Sequence, residues 1–187
     1  MALTEEFPTL KINDKLVLRE QRFSDAADFF NYISKAEVKK YILSYIPVDP
    51  KDAEDEIIYW IDLFYKNHGI YWAITIDDVM CGSIGLHDIN LVNNRAEISY
   101  DLCSSKWQQG ITSLAMTKVL EFCFDQLNIN RIQASTIAEN IGSIKVLEKA
   151  GFKLDGTLKQ YRRHNGKYYD ILMYSIIKSD YDSEKSR

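Results

Sequence analysis

The chain has 187 residues, 46% of them hydrophobic, and a formal net charge of -4. This length and apolar content fit one domain with a single core, and no shift in composition marks a linker. A nucleic-acid-binding domain is typically basic, which this chain is not, and the small negative net charge mildly favours a cationic substrate. Apolar runs stay short of the roughly 20 residues that span a bilayer, and no secretory pattern opens the chain. We therefore expect a cytoplasmic protein with no nucleic-acid or membrane partner.

The three cysteines, Cys81, Cys103 and Cys123, are odd in number and widely spaced. This spacing argues against a disulfide framework and indicates a reducing compartment. The histidines show no metal-ligand spacing with these cysteines, so we expect no metal site.

In the first half of the chain, residues 15–20 predict a strand, and Ser24 is expected to cap the helix that follows. A second helix is predicted to begin at Asp49-Pro50, because proline is well tolerated in the first helical turn. Period-two alternation then predicts a hairpin of residues 71–76 and 79–86 around Asp77-Asp78.

Residues 96–103 alternate between apolar and polar side chains, which is typical of a strand with one buried face. A turn ending at Gly110 leads into a helical pattern that begins at Ile111. Glycine lets the backbone approach a ligand closely, and the first helical turn presents unpaired N–H groups and a partial positive charge. Such a turn can bind a phosphate without a lysine. Taken alone, it fits an ordinary strand-to-helix connection equally well.

A second motif begins at Asn140, a favoured N-cap residue, and continues as a short amphipathic helix that Gly151 closes. Residues 131–136 before it alternate like a strand, so the region favours an α/β arrangement with crossover helices. Residues 168–177 predict a last strand. The polar residues from Ser179 onward predict a disordered and dispensable tail.

These motifs together resemble the GNAT superfamily of N-acetyltransferases, on the RimJ/RimL-type branch that acts on ribosomal proteins. The residues that carry the resemblance are Trp107-Gln-Gln-Gly110-Ile-Thr-Ser-Leu-Ala115, Arg131-Ile and Asn140-x-x-Ser143-x-x-x-Leu-Glu-Lys-x-Gly-Phe152. Weaker similarity extends from residue 10 to residue 178. We therefore expect one acetyltransferase domain over residues 1–178 and a polar tail over residues 179–187.

The resemblance implies an α/β (α+β) GNAT fold with a mixed, mainly antiparallel sheet of about seven strands flanked by helices. It implies that the sheet splays open beside the Glu97 strand to admit acetyl-CoA, whose pantetheine arm would pair with the backbone of Leu102 and Cys103. Asn140 and Ser143 would reach the thiol end. The pyrophosphate would be held by the turn of Gln108, Gln109, Gly110, Ile111, Thr112 and Ser113.

Acetyl transfer needs a neutral amine, electrophilic help for the carbonyl oxygen and a proton for the departing thiolate. Glu97 is the candidate base, directly or through water, although a solvated strand acid is the alternative interpretation. Ser143 is the candidate donor to the thiolate, and its alternative is an ordinary first-turn serine. Thr112 is bulkier than the residue usual in the family turn, and Leu147 replaces a tyrosine that donates to the thiolate in other branches. Tyr100, Tyr161, Tyr168 and Tyr169 could line the acceptor site, although aromatic residues on strands more often serve packing, and no catalytic role is assigned to them.

Three hypotheses remain open for the function. The first is acetylation of a protein N-terminal amine, because neutralising an α-amine near pH 7.4 costs only about 0.5 kcal/mol, against roughly 4 for a lysine-type amine. The second replaces this acceptor with a small cationic amine such as a polyamine or an aminoglycoside. The third is a non-catalytic acyl-CoA sensor, and in each case a homodimer is left open.

Overall fold

The computed structural model describes residues 4–185, which form one eight-stranded sheet flanked by helices. The strands are β1 (Leu10–Lys11), β2 (Leu16–Glu20), β3 (Ile70–Ile76), β4 (Val79–Asn90), β5 (Arg95–Leu102), β6 (Arg131–Thr136), β7 (Lys153–His164) and β8 (Lys167–Ile177). The helices are α1 (Ala26–Ile33), α2 (Ala36–Lys39), α3 (Pro50–Tyr65), α4 (Ile111–Glu121), α5 (Ile141–Lys149) and α6 (Lys178–Lys185). Among these residues, no helix is both long and apolar enough to cross a bilayer.

The strands follow the order β1-β2-β3-β4-β5-β6-β8-β7, and only the β5–β6 pair is parallel. The expected mixed and mainly antiparallel sheet is therefore confirmed, with eight strands in place of about seven. The sequence pattern does not predict β1, because a strand of two residues is too short to show alternation.

The sheet opens between β5 and β6. These strands pair from Arg95 opposite Arg131 to Glu97 opposite Gln133, and no further. Beyond that point β6 continues beside β8, as far as Thr136 opposite Leu172, while β5 continues beside β4 alone. The expected splay beside the Glu97 strand is therefore confirmed, and Glu97 lies at the point where the two strands part.

Helix α3 begins as the sequence predicts. Pro50 is its first residue, and the Asp49 side chain accepts a hydrogen bond from the Asp52 N–H at 3.0 Å. Its buried side chains recur every three or four residues and pack one face of the helix onto the sheet. On this face the Trp60 ring stacks on Tyr71 of β3, with ring centres 5.4 Å apart.

The expected cap at Ser24 is wrong. Ser24 lies inside a 3-10 turn, Phe23–Asp25, and α1 begins at Ala26. Asp25 is the residue before α1, and its side chain makes no hydrogen bond to the first turn of that helix; its carboxylate accepts the Arg22 N–H at 2.7 Å across the 3-10 turn and pairs with buried Arg19 at 2.8 Å.

The expected disorder of the tail is also wrong for the residues that the structure describes, since they form α6. The Tyr181 ring stacks on Phe124 at 4.7 Å, and Lys185 pairs with Asp125 at 2.7 Å. The polar composition of this segment did not indicate these contacts, because one aromatic residue and a few ion pairs are enough to hold a short helix against the domain. Residues 186–187 of the predicted tail lie outside the described residues, and the domain boundary at residue 178 stays a prediction.

Candidate active site

A groove of about 560 Å³ runs along the free half of β5, past the starts of α4 and α5. Lys106 and Lys145 also line it and add positive charge for an anionic ligand. Most of the residues predicted to bind the cofactor lie on its lining. They are Leu102, Gln108, Gly110, Ile111, Thr112, Ser113, Asn140 and Ser143.

The turn before α4 has the backbone expected of a phosphate-binding loop. Gly110 adopts the left-handed conformation, with φ of 77°. No atom would obstruct a Cβ at this position, so glycine is favoured here by the backbone conformation and not by a lack of space. The Leu114 N–H bonds the Gly110 carbonyl at 3.0 Å. The preceding N–H groups belong to the first helical turn, which leaves its donors without intrahelical acceptors. They are therefore available to an anion in the groove.

Trp107 holds this turn against the end of β5. Its indole N–H donates to the Leu102 carbonyl at 2.9 Å, so the start of α4 is positioned relative to the strand. The side chain is partly exposed at the groove, where its ring lies 6.4 Å from that of Tyr41.

Two predicted cofactor-binding residues lie off the groove lining. The Cys103 N–H already donates to the Cys81 carbonyl at 2.7 Å, and the Cys103 side chain is buried. The Gln109 side chain is exposed and donates to the Ser105 carbonyl at 2.9 Å. Their cofactor contacts stay predictions.

Asn140 and Ser143 meet at the start of α5, as predicted. The Asn140 Oδ1 accepts the Ser143 N–H at 3.1 Å, which confirms Asn140 as the N-cap. The Ser143 hydroxyl in turn lies 2.8 Å from the hydroxyl of Tyr100 on β5. Burial raises the pKa of the Tyr100 hydroxyl, and the hydrogen bond to Ser143 offsets part of that shift. Tyr100 therefore stays protonated near neutral pH.

A smaller pocket of about 130 Å³ occupies the splay between β5 and β6. Hydroxyl side chains dominate its polar lining: Tyr41, Ser99, Tyr100, Ser135, Thr136 and Ser143. Tyr41, Tyr100, Asn140 and Ser143 line both this pocket and the groove, so the two cavities meet at these side chains. A thioester in the groove and an amine in the pocket could meet there.

Glu97 lies just behind this pocket and lines neither cavity. One carboxylate oxygen accepts from the Gln133 side chain at 3.1 Å, and the other accepts from the Ser135 hydroxyl at 2.9 Å. Ser135 itself lines the pocket, so one hydroxyl separates Glu97 from that space. His87 and Asp88 stand beside Glu97, with donor atoms of all three side chains within 4.8 Å of one another.

Asp101, which was not among the predicted site residues, lines the groove four residues after Glu97 on the same face of β5. Its carboxylate accepts from the Tyr32 hydroxyl at 2.6 Å, the Ser83 hydroxyl at 2.7 Å and the Ser83 N–H at 3.1 Å. Burial raises the pKa of Asp101, and these hydrogen bonds oppose the shift. The polar side of the alternating strand was a signal for it.

Arg162 was missed as well. It lines the small pocket from β7, an element far along the chain from β5. No pattern near residue 162 marks it, because only the assembled sheet brings β7 and β5 to one pocket.

Residues 15–153, well over half of the chain, match the family model of the acetyltransferase (GNAT) domain. The chain belongs to the GNAT superfamily of acetyltransferases. This GNAT protein is 34% identical over 170 residues to the uncharacterized N-acetyltransferase p20 of Bacillus licheniformis, covering 90% of this chain and 96% of that protein.

It is also 30% identical over 115 residues to the ribosomal-protein-serine acetyltransferase of Escherichia coli, covering 62% of this chain and 64% of that protein. The solved structure of RimL, a ribosomal L7/L12 alpha-N-protein acetyltransferase, shares the fold with a TM-score of 0.83 at 23% identity. That match covers 91% of this chain and 94% of RimL. This GNAT protein is an acetyl-CoA-dependent N-acetyltransferase.

Proposed function

We propose that this acetyltransferase modifies the α-amine at the N-terminus of a protein. The observation that carries the proposal is the pocket in the splay, which joins the groove at Ser143 and has no carboxylate on its lining among residues 4–185. A polyamine or an aminoglycoside carries several positive charges and is bound best by acidic walls. An α-amine, in contrast, loses its proton at little cost and needs only one nearby base. The ribosomal-protein acetyltransferase among the relatives supports the same acceptor.

Acetyl-CoA would lie along the groove, with its pyrophosphate at the first turn of α4 and its thioester near Ser143. The Thr112 hydroxyl is a further candidate phosphate donor, and Lys106 and Lys145 would offset the phosphate charge. The strand backbone freed by the splay, near Leu102, would pair with the pantetheine arm.

In the reaction, the neutral amine attacks the thioester carbonyl carbon, a C–N bond forms, and the C–S bond breaks. We assign Glu97 as the base and Ser135 as the relay, because Ser135 lines the pocket and donates to Glu97 at 2.9 Å. The proton leaves the amine for the Ser135 oxygen while the Ser135 proton passes to Glu97.

The departing CoA thiolate requires stabilisation and then a proton. Ser143 is assigned as its hydrogen-bond donor, because its hydroxyl lies where the groove meets the pocket. Tyr100 supports this role if its one hydroxyl proton turns from the Ser143 carbonyl oxygen to the Ser143 hydroxyl oxygen, because the serine proton is then free for the thiolate.

The proposal is tested by titrating the protein with acetyl-CoA and then following thiol release in the same sample. The acceptors are peptides with free α-amines, their N-terminally blocked versions, spermidine and an aminoglycoside. Release only with free α-amines is the expected result. Release only with spermidine or the aminoglycoside would overturn the acceptor, and binding without any release would favour the acyl-CoA sensor. Light scattering on the same preparation tests the homodimer.

A further inference from the structure

Among residues 4–185, one cationic side chain, Arg162, lines the polar pocket beside the reacting groups. Arg162 of β7 is opposite Tyr169 of β8, and Ile171 lies two residues further along β8. Side chains two residues apart share a face of a strand, which places Arg162 and Ile171 on the same side of the hairpin. Both residues line the pocket in the splay.

A bulge in β7 sets the position of Arg162. The pairing with β8 shifts between Leu158 and Arg162, and Gln160 has a φ of 49° in the left-handed region. Asp170 holds this bulge, because its carboxylate accepts the Gln160 N–H at 2.8 Å and the Lys159 ammonium at 2.8 Å. Bulges commonly re-aim the side chains beside them. The hydrogen bonds that hold this bulge come from Lys159 and Gln160, and the Arg162 guanidinium takes no part in them.

The Arg162 guanidinium has no hydrogen bond or ion pair with any other residue in the part of the chain that the structure describes. Arg19, Arg22 and Arg131, in contrast, each pair with an aspartate. The neighbouring Arg163 lies over the Tyr168 ring, 6.0 Å from its centre. An exposed guanidinium at the mouth of a hydroxyl-lined pocket is available to an anion from outside the chain.

We propose that Arg162 binds a carboxylate that the acceptor carries close to its amine, which restricts the acceptors to α-amines accompanied by a negative charge. This inference rests on the proposed acetylation of an α-amine. Arginine suits the role because its planar fork pairs with both oxygens of a carboxylate. Ser135 also lines this pocket and donates to Glu97, so such an acceptor would find a positive group for its carboxylate and a route to a base for its amine in one pocket.

The carboxylate has two sources. It is either the α-carboxylate of a free amino acid or the side chain of Asp or Glu at the first positions of a polypeptide. A matched pair of acceptors tests each source: alanine against alaninamide, and a peptide beginning Ala-Asp against the same peptide beginning Ala-Asn. For every acceptor kcat/KM is expressed per neutral amine, because a neighbouring carboxylate raises the pKa of the amine. Within at least one pair, we expect the carboxylate to raise kcat/KM about tenfold or more, as a charge-assisted hydrogen bond would.

The variant Arg162→Gln is expected to remove that preference, and Arg162→Lys to restore part of it, since lysine keeps the charge without the fork. Arg163→Gln is the matched control and should keep the preference, because Arg163 packs on Tyr168 and does not line the pocket. Thermal unfolding checks that each variant is folded. A preference that survives Arg162→Gln, or equal kcat/KM within both pairs, would overturn the inference.

A binding measurement separates failure of this inference from failure of the proposed function. The CoA-loaded protein is titrated with N-acetylalanine and with the acetylated Ala-Asp and Ala-Asn peptides, for which no chemistry is needed. The carboxylate contact is supported if Arg162→Gln binds N-acetylalanine or the acetylated Ala-Asp peptide more weakly than wild type does, while its affinity for the acetylated Ala-Asn peptide is unchanged. This result would hold even if no acceptor were acetylated. Equal affinities for all ligands in wild type and variant would refute the contact, whatever the acetylation results.

Discussion

The hydroxyl of Tyr100 lies 2.8 Å from the Ser143 Oγ and 3.2 Å from the Ser143 carbonyl oxygen, where the groove and the pocket meet. The contact joins the free half of β5 to the first turn of α5. It forms on the part of β5 that has already separated from β6, so the opening of the sheet and the placement of Ser143 are coupled.

Replacing Ser143 by alanine should lower kcat about tenfold to a hundredfold, the effect of losing one hydrogen bond to a charged group. The protein should stay folded, because Ser143 caps nothing through its own side chain. Steady-state thiol release measures kcat, and thermal unfolding measures the fold. Ser183→Ala is the control, since its hydroxyl bonds a carbonyl inside α6. Full activity of Ser143→Ala would remove Ser143 from the reaction.

Replacing Glu97 by glutamine should lower kcat/KM and change its dependence on pH. Wild-type activity needs a deprotonated base, so it falls as the pH is lowered, and the variant should lose the part of this fall that Glu97 causes. Ser135→Ala should lower kcat/KM while the pH dependence persists, because a water can replace the hydroxyl. An unchanged profile in Glu97→Gln would show that another group is the base, with Asp101 the next candidate.

Replacing Asn140 by alanine should lower stability by about 1 kcal/mol, because the N-cap hydrogen bond to the Ser143 N–H is lost. Turnover should fall as well, since the cap positions Ser143. Asn140→Asp keeps the cap and removes the side-chain amide, so it separates the two effects. Chemical denaturation and thiol release are measured on both variants. Equal stability of wild type and Asn140→Ala would mean that the cap contributes nothing.

Removing the carboxylate of Asp25 should be far more damaging than removing a surface ion pair. Asp25 and Arg19 are both buried and joined by two hydrogen bonds of 2.8 Å. Asp25→Ala would leave Arg19 buried with only its contacts to Asp78 and the backbone, at a cost of about 3 kcal/mol. Denaturant unfolding measures this, with Asp28→Ala, at a half-buried position of α1, as the control. A loss under about 1 kcal/mol would refute the importance of the pair.

The carboxylate of Asp78 should stabilise the protein near neutral pH and lose this effect in acid. Hydrogen bonds from Arg22 and Arg19 hold the pKa of Asp78 below its ordinary value of 3.8. A carboxyl with a lowered folded-state pKa stabilises the protein above its unfolded-state pKa, and this contribution disappears as the pH falls through the folded-state pKa. Asp78→Asn should therefore unfold more easily than wild type near neutral pH; the difference should shrink as the pH falls below 3.8 and vanish once the pH lies below the lowered folded-state pKa of Asp78. A difference that persists in strong acid would contradict this linkage.

Activity should be unchanged after treatment with EDTA. The donor atoms of His87, Asp88 and Glu97 approach one another, yet both oxygens of Glu97 already accept hydrogen bonds from Gln133 and Ser135. The metal-independent reaction expected from the sequence thus stays a prediction. Thiol release is measured before and after chelation and buffer exchange. Loss of activity that returns with added zinc would show that these side chains hold a required ion.

Several local features could be predicted because they depend on residues that are close in sequence. The Asn140 cap needs only the N–H three residues later, and the start of α3 needs only Asp49 and Pro50. The hairpin around Asp77-Asp78 follows from the alternation of its two strands. The cap predicted at Ser24 was wrong, because a 3-10 turn over Phe23–Asp25 precedes α1 and Asp25 pairs with Arg19.

The sequence by itself determined the elements around the cofactor groove and the family to which they belong, since turn, cap and alternation are decided within a few residues. The tertiary structure alone decided which side chains share the pocket. Glu97 stands at the parting of β5 and β6, and Arg162 reaches the same region from β7. These placements depend on pairing between strands far apart in the chain, where the packing of the whole sheet selects the partner and register. No local pattern can encode that choice.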